Sequence, residues 1–229
     1  MNQVTDQQII EILRKEAVPA LGCTEPVACA LACAKCKEVL GGVPERLDVL
    51  VSGNIYKNGM GVGIPGTGMV GLPIAAALGA VCGKSEYGLE VLKEVNVGDN
   101  LQRAKDMLGQ VTVSLKEDAP DKLYAEALAT KGNDTVKVII AHTHTNIVLV
   151  EKNGEEIFKR EFRLDTSKPE DKGPELSVKR IWDFVHEVDV KDIEFVLQGA
   201  EMNKAISAEG LNSEYGLQIG KTLKENIDK

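Results

Sequence analysis

From Asn58 to Gly83 the sequence runs without a single charged residue, yet it carries eight glycines and two prolines. The stretch is long enough to cross a bilayer, but so many helix breakers leave only a short continuous helical part. It reads instead as a glycine-rich loop feeding a buried helix from about Met69 to Val81. A chain that hides such a segment needs a sizeable core, and 229 residues suffice for one large domain or two small ones. Aromatic residues make up only 4 % of the chain, so that core is built from Ala, Val, Leu and Ile.

Four of the five cysteines fall in PALGCTEPVACALACAKC, at Cys23, Cys29, Cys33 and Cys36, and the fifth is Cys82. A helix is expected from Thr24, as N-cap, to Leu40, closed by Gly41-Gly42. Cys29, Cys33 and Cys36 then stand at i, i+4 and i+7 on one helix face, among alanines. One face cannot surround a metal or cluster, so these three are read as small buried side chains. Cys23 differs, because it precedes the helix. The free N–H groups and positive dipole end there favour thiolate. A buried cysteine at a helix entrance is the equally open alternative.

The net charge is −8 and no basic run stands out, which argues against nucleic acid or an anionic membrane as partner. The N-terminus is polar and amphipathic, unlike a signal peptide, which points to a cytoplasmic protein with reduced thiols. Thr5 to Gln8 forms a capping box for a first helix carrying Ile9, Ile10, Leu13 and Ala17.

Arg46–Val51 is expected as a strand. Val91–Leu108 is expected to be mostly helical, with a break near Gly98. Further strands are expected at Gln110–Leu115, Leu123–Ala129, Val136–Ala141, Asn146–Glu151 and Ile157–Phe162, as an antiparallel meander with a hairpin turn at Asn153-Gly154. Thr166–Pro174 is polar and turn-rich, as a linker would be, and helical patterns follow it at Leu176–Glu187, Val190–Ala208 and Ser213–Ile227. The whole reads as α+β, with one domain over residues 1–165 and a helical segment over 175–229.

Three stretches, PALGCTEP, SGNIYKNGMGVGIPGTG and EGLNSEYGLQIGKTL, resemble the L-cysteine desulfidase family, which is related to the iron–sulfur L-serine dehydratases and their α-subunit-like proteins. Members of that family are longer, so the chain is expected to be an N-terminal half. The resemblance implies a four-iron, four-sulfur (4Fe-4S) cluster held by three cysteines, with Cys23 as one ligand and the others supplied by a C-terminal half or a partner subunit. It implies conversion of L-cysteine to pyruvate, sulfide and ammonia by β-elimination without pyridoxal phosphate. The alternatives are the same chemistry on L-serine, or a non-catalytic amino-acid-binding or assembly module. A homo-oligomer is also compatible.

Gly61, Gly63 and Gly66 satisfy a bare GxGxxG spacing, but Pro65 interrupts it and no strand abuts it, so a dinucleotide site is rejected. An amino-acid substrate site fits better. Ser52, Asn54, Asn58 and Thr67 can hydrogen-bond a carboxylate and an amine. The backbone N–H groups of Gly66–Gly68, ahead of the expected Met69 helix, favour an anion. Lys57 is the candidate base if burial depresses its pKa, and otherwise an exposed lysine beside a turn. His142 and His144 are expected on one face of a strand, as a metal pair or a polar strand end. The resemblance continues through HTNI and leaves a substrate-contacting role open for His144.

Overall fold

The computed structural model describes residues 4–160, 176–214 and 218–227. Along the chain lie helices α1 (Asp6–Glu16) and α2 (Thr24–Leu40), strand β1 (Arg46–Val51) and helix α3 (Gly53–Gly59). Two short strands, β2 (Gly63–Ile64) and β3 (Met69–Val70), precede helices α4 (Leu72–Val81) and α5 (Asn100–Met107). Strands β4 (Val111–Leu115), β5 (Tyr124–Lys131), β6 (Asp134–Ala141), β7 (Ile147–Lys152) and β8 (Glu155–Lys159) follow, then helices α6 (Val178–Glu187), α7 (Val190–Ile193), α8 (Phe195–Asn212) and α9 (Ile219–Glu225). The fold class is α+β. The chain divides into two compact units, one of Ala20–Ser167 and one of Met1–Pro19 with Lys168–Lys229, so the first helix groups with the last ones. The expected linker at 166–174 lies outside the described residues.

In the larger unit a six-stranded sheet runs in the order β4-β1-β5-β6-β7-β8. β1 pairs in parallel with β4, and every other pairing is antiparallel. The meander is therefore β5–β8. β4, expected within it, lies at the far edge beside β1. The β7–β8 turn is the expected Asn153-Gly154, with φ of 53° and 84°, as a two-residue primed turn demands.

α2 packs on β5 and β6 with one side and on α4 with another, which explains why it is apolar all round. Cys29, Cys33 and Cys36 are fully buried. Cys36 Sγ donates to Ala127 O at 3.5 Å and Val136 O at 3.6 Å, which places it against the sheet. The α2–α4 crossing is close because Gly79 lacks a side chain: a Cβ there would lie 2.2 Å from Ala30 O. α4 itself starts at Leu72 rather than Met69, because Met69–Val70 pairs with Gly63–Ile64 and Gly71, with φ of 98°, makes the turn into the helix. The expected helix over Val91–Leu108 is also shorter. Turns occupy the stretch up to Asp99, and α5 begins at Asn100.

The smaller unit is held at α1 and α6 by Ile9, Ile10 and Phe184, which share a small apolar core with Val4. Arg180 donates from Nε to Val4 O at 2.6 Å and pairs with Asp6. Thr5 and Gln8 form the expected capping box. Among the described residues no helix is long and apolar enough to cross a membrane.

Candidate functional site

The turn before α2 is made by Gly22, whose φ of 87° favours glycine. A Cβ on it would meet Pro65 Cγ at 3.3 Å, so PALGCTEP lies directly against the glycine-rich loop. The N-cap is Cys23, extended at φ −67° and ψ 136°, and Thr24 is the first helical residue rather than the cap.

Cys23 Sγ donates to Glu25 Oε2 at 2.6 Å. Asn58 Nδ2 donates to the other oxygen, Glu25 Oε1, at 3.2 Å. His144 is near enough for the Glu25 charge to act on it. Glu25 is thus the hub of a small polar cluster, and sequence reasoning passed over it as an ordinary first-turn acid. The signal available was its spacing: two residues after an N-cap cysteine, a first-turn carboxylate can turn back onto the thiol.

The electrostatics reverse the expectation for Cys23. Burial raises its pKa above the ordinary thiol value, and donation to the Glu25 carboxylate raises it further. The backbone N–H groups of Thr24 and Glu25 pull the other way, as a helix N-terminus should, and are outweighed. Cys23 is therefore a protonated thiol. The hydrogen bond from Cys23 in turn lowers the Glu25 pKa. Burial lowers the His144 pKa, against the opposing pull of Glu25, so the imidazole is neutral at pH 7.

The other residues expected at a site are placed as follows. Ser52–Asn58 is not a loop, because Ser52 caps α3. The Ser52 hydroxyl accepts from Ile55 N at 3.5 Å and donates to Lys122 O at 2.6 Å, and the residue is buried. Asn54, Lys57 and Asn58 are exposed on α3 at i, i+3 and i+4, and so share a face. Thr67 is turned inward. It donates to Ile64 O at 2.7 Å and accepts from Met69 N at 2.9 Å. The Thr67 N–H also goes to Ile64 O, and no helix starts at Met69, so Gly66–Gly68 is not a helix N-terminus.

The two histidines do not share a strand face. β6 ends at Ala141, His142 has a positive φ of 70°, and the stretch turns back to β7. His142 Nδ1 lies 2.9 Å from Asp121 Oδ2, whereas His144 lies within electrostatic reach of Glu25. A groove of about 440 Å³ opens between α2 and the β7–β8 hairpin, lined by Lys35, Val39, Ile147, Val150, Phe158 and Arg160 among others. None of the residues singled out from sequence lines it.

The donor set does not fit a three-cysteine cluster within this chain. Cys29, Cys33 and Cys36 are sealed in the core, and burial pushes the Cys33 and Cys36 thiols up, away from the thiolate that ligation needs. Only Cys23 is partly accessible, and Cys82 is buried. The described residues would contribute Cys23 alone.

No protein-family model matches the chain, and no solved structure matches it significantly. Curated relatives do. Proteins named "UPF0597 protein" from Parabacteroides distasonis and Dichelobacter nodosus are each 45 % identical, over 97 % and 98 % of this chain and 52 % of their own length. One from Oleidesulfovibrio alaskensis is 46 % identical over 96 % of the chain and 51 % of its own length. The chain spans about half the length of the curated relatives it matches. These matches correct the family drawn from the motifs. Across nearly the whole chain the likeness is to proteins named UPF0597, a name that states neither a desulfidase nor a serine dehydratase.

Proposed function

We propose that the chain carries part of an acid–base site for β-elimination from a small α-amino acid in the cytoplasm. L-cysteine is the substrate, giving pyruvate, sulfide and ammonia, and L-serine, losing water, is the alternative. The observation that supports this reading is one carboxylate, Glu25, that accepts from a protonated thiol and an amide and whose charge also acts on a neutral imidazole, His144.

β-Elimination needs a base for the α-proton and an acid for the leaving group. His144 is neutral at pH 7 and can take the α-proton. The Glu25 carboxylate then stabilises the imidazolium that forms. Glu25 itself, with its lowered pKa, is ionised but a poor base. The C–H electron pair becomes the Cα=Cβ bond. The Cβ–S pair leaves on sulfur, which takes a proton from the Cys23 thiol. The 2-aminoacrylate released tautomerises to an imine, and water hydrolyses it to pyruvate and ammonia. Asn58 and its α3 neighbours Asn54 and Lys57 present amide and ammonium donors suited to a substrate carboxylate.

The test has two arms. In this chain, L-cysteine should shift the His144 ring resonances, and Glu25→Gln or His144→Gln should abolish the shift. The intact Parabacteroides distasonis relative, assayed anaerobically, should form pyruvate from L-cysteine or L-serine. It should lose about 100-fold or more in rate when the residue aligned with His144 becomes glutamine, as for removal of a general base. Binding without pyruvate from either amino acid would make this a binding module and end the lyase reading.

A further inference from the structure

α6 shows three faces. Arg180 and Phe184 point into the smaller unit and are buried. Lys179 and Asp183 form an ion pair at 2.6 Å on a polar side. The third side is apolar and open: Val178, Ile181, Trp182 and Val185 are 85 %, 46 %, 65 % and 63 % exposed. Their spacing is i, i+3, i+4 and i+7. At 3.6 residues per turn they fill an arc of about 100°, the width of stripe a helix normally buries.

α8 is an 18-residue helix without a buried residue, and its exposed Leu197, Met202 and Ile206 are spread around it rather than gathered on one face. A helix such as α6 draws most of its stability from packing an apolar face, and contiguous exposed patches like its stripe mark protein–protein contacts. The curated relatives match the chain across these helices, yet carry about as much polypeptide again beyond the match.

We propose that the Val178–Ile181–Trp182–Val185 stripe of α6 is a docking surface for a polypeptide segment from that additional length. The segment presents an amphipathic helix with its apolar side to the stripe. This rests on the exposed stripe and the length of the relatives, not on the lyase reading, and its test measures contact rather than turnover.

Trp182 is the only tryptophan in the sequence, so it reports on the stripe directly. In this chain, light scattering should give a monomer, and iodide should quench Trp182 fluorescence freely. Val185→Glu should leave the circular dichroism unchanged, since Val185 is 63 % exposed. In the intact Parabacteroides distasonis relative, backbone hydrogen exchange over the segment aligned with Val178–Val185 should be at least about 10-fold slower than over α6 of this chain, because docking closes the helix against opening. A dimer of this chain with Trp182 shielded would make the occupant a second copy and overturn the proposal. Equal exchange in the two proteins would also overturn it, by leaving the stripe open.

Discussion

Cys23 donates its thiol proton to Glu25 across 2.6 Å, from the N-cap of α2 to the second residue of the helix. This bond sets the character of the cluster. A helix N-terminus alone would favour thiolate, but burial, and after it a carboxylate held this close, reverse the preference.

Replacing Glu25 by Gln should therefore lower the Cys23 pKa. Burial still raises it, but the Glu25 charge and the hydrogen bond to a carboxylate disappear, while the lowering contribution of the N–H groups at positions 24 and 25 remains. The midpoint for alkylation by iodoacetamide should move to lower pH, and the rate at pH 7 should rise. Cys29, Cys33 and Cys36 are sealed and should not react in the folded chain, so peptide mass mapping assigns the signal to Cys23. An unchanged or raised midpoint would contradict the bond.

Acid should weaken the fold in two windows. The His144 pKa lies below its ordinary 6.5 and the Glu25 pKa below its ordinary 4.5. On acidification the unfolded chain therefore takes up each proton first. The stability held by neutral His144 is full above about pH 6.5 and is lost as pH falls toward the folded pKa. The share from Glu25 is lost in a lower window, below about pH 4.5. His144→Gln should flatten the fall in urea midpoint that begins below about pH 6.5 and leave the lower window in place. A wild-type midpoint flat across the upper window would show that burial does not act on His144 as described.

Ser52 and Asn54 stand two residues apart at the start of α3 and should differ sharply in their response to alanine. Ser52 is buried, caps the helix and donates to Lys122 O, so its loss removes a cap and orphans a carbonyl. The cost should be about 1–2 kcal/mol in chemical denaturation. Asn54 is exposed, and its replacement should change stability by less than about 0.5 kcal/mol. On the proposed function Asn54→Ala should weaken L-cysteine binding, and unchanged binding would remove Asn54 from the site.

Much of this was legible because periodicity and turn chemistry are local. Arg46–Val51 and the Asn153-Gly154 turn came straight from the sequence, as did the burial of three cysteines at helical spacing. What failed depended on residues distant in sequence. The helix at Gly53–Gly59 was hidden by its glycines and asparagines, and it forms because Ser52 caps it over β5. The histidines were assigned to a strand because β-branched residues run up to Ala141, yet the chain turns there and Asp121, twenty-one residues earlier, receives the His142 N–H. Glu25 was missed because a first-turn acid is so ordinary that its two hydrogen-bond donors, one of them thirty-three residues away, leave no trace in spacing.

Gly79 should be among the least replaceable positions in α4. A Cβ there would sit 2.2 Å from Ala30 O and 2.8 Å from Ala30 Cα, both backbone atoms of the facing helix, which cannot swing aside as a side chain could. Gly79→Ala must push α2 and α4 apart, and α2 is pinned on its other side by the sheet through Cys36. The better helix propensity of alanine offsets about 1 kcal/mol of the penalty. Overpacking of a tight core costs about 1–3 kcal/mol or more, and here it falls on backbone. The net expectation is a loss of at least about 1 kcal/mol, read as a lower urea midpoint with the slope unchanged. Gly109, where a Cβ would meet nothing within 4 Å, is the control, and Gly109→Ala should stay within about 0.5 kcal/mol of wild type. A Gly79→Ala protein as stable as the control would mean that the two helices do not cross at this distance.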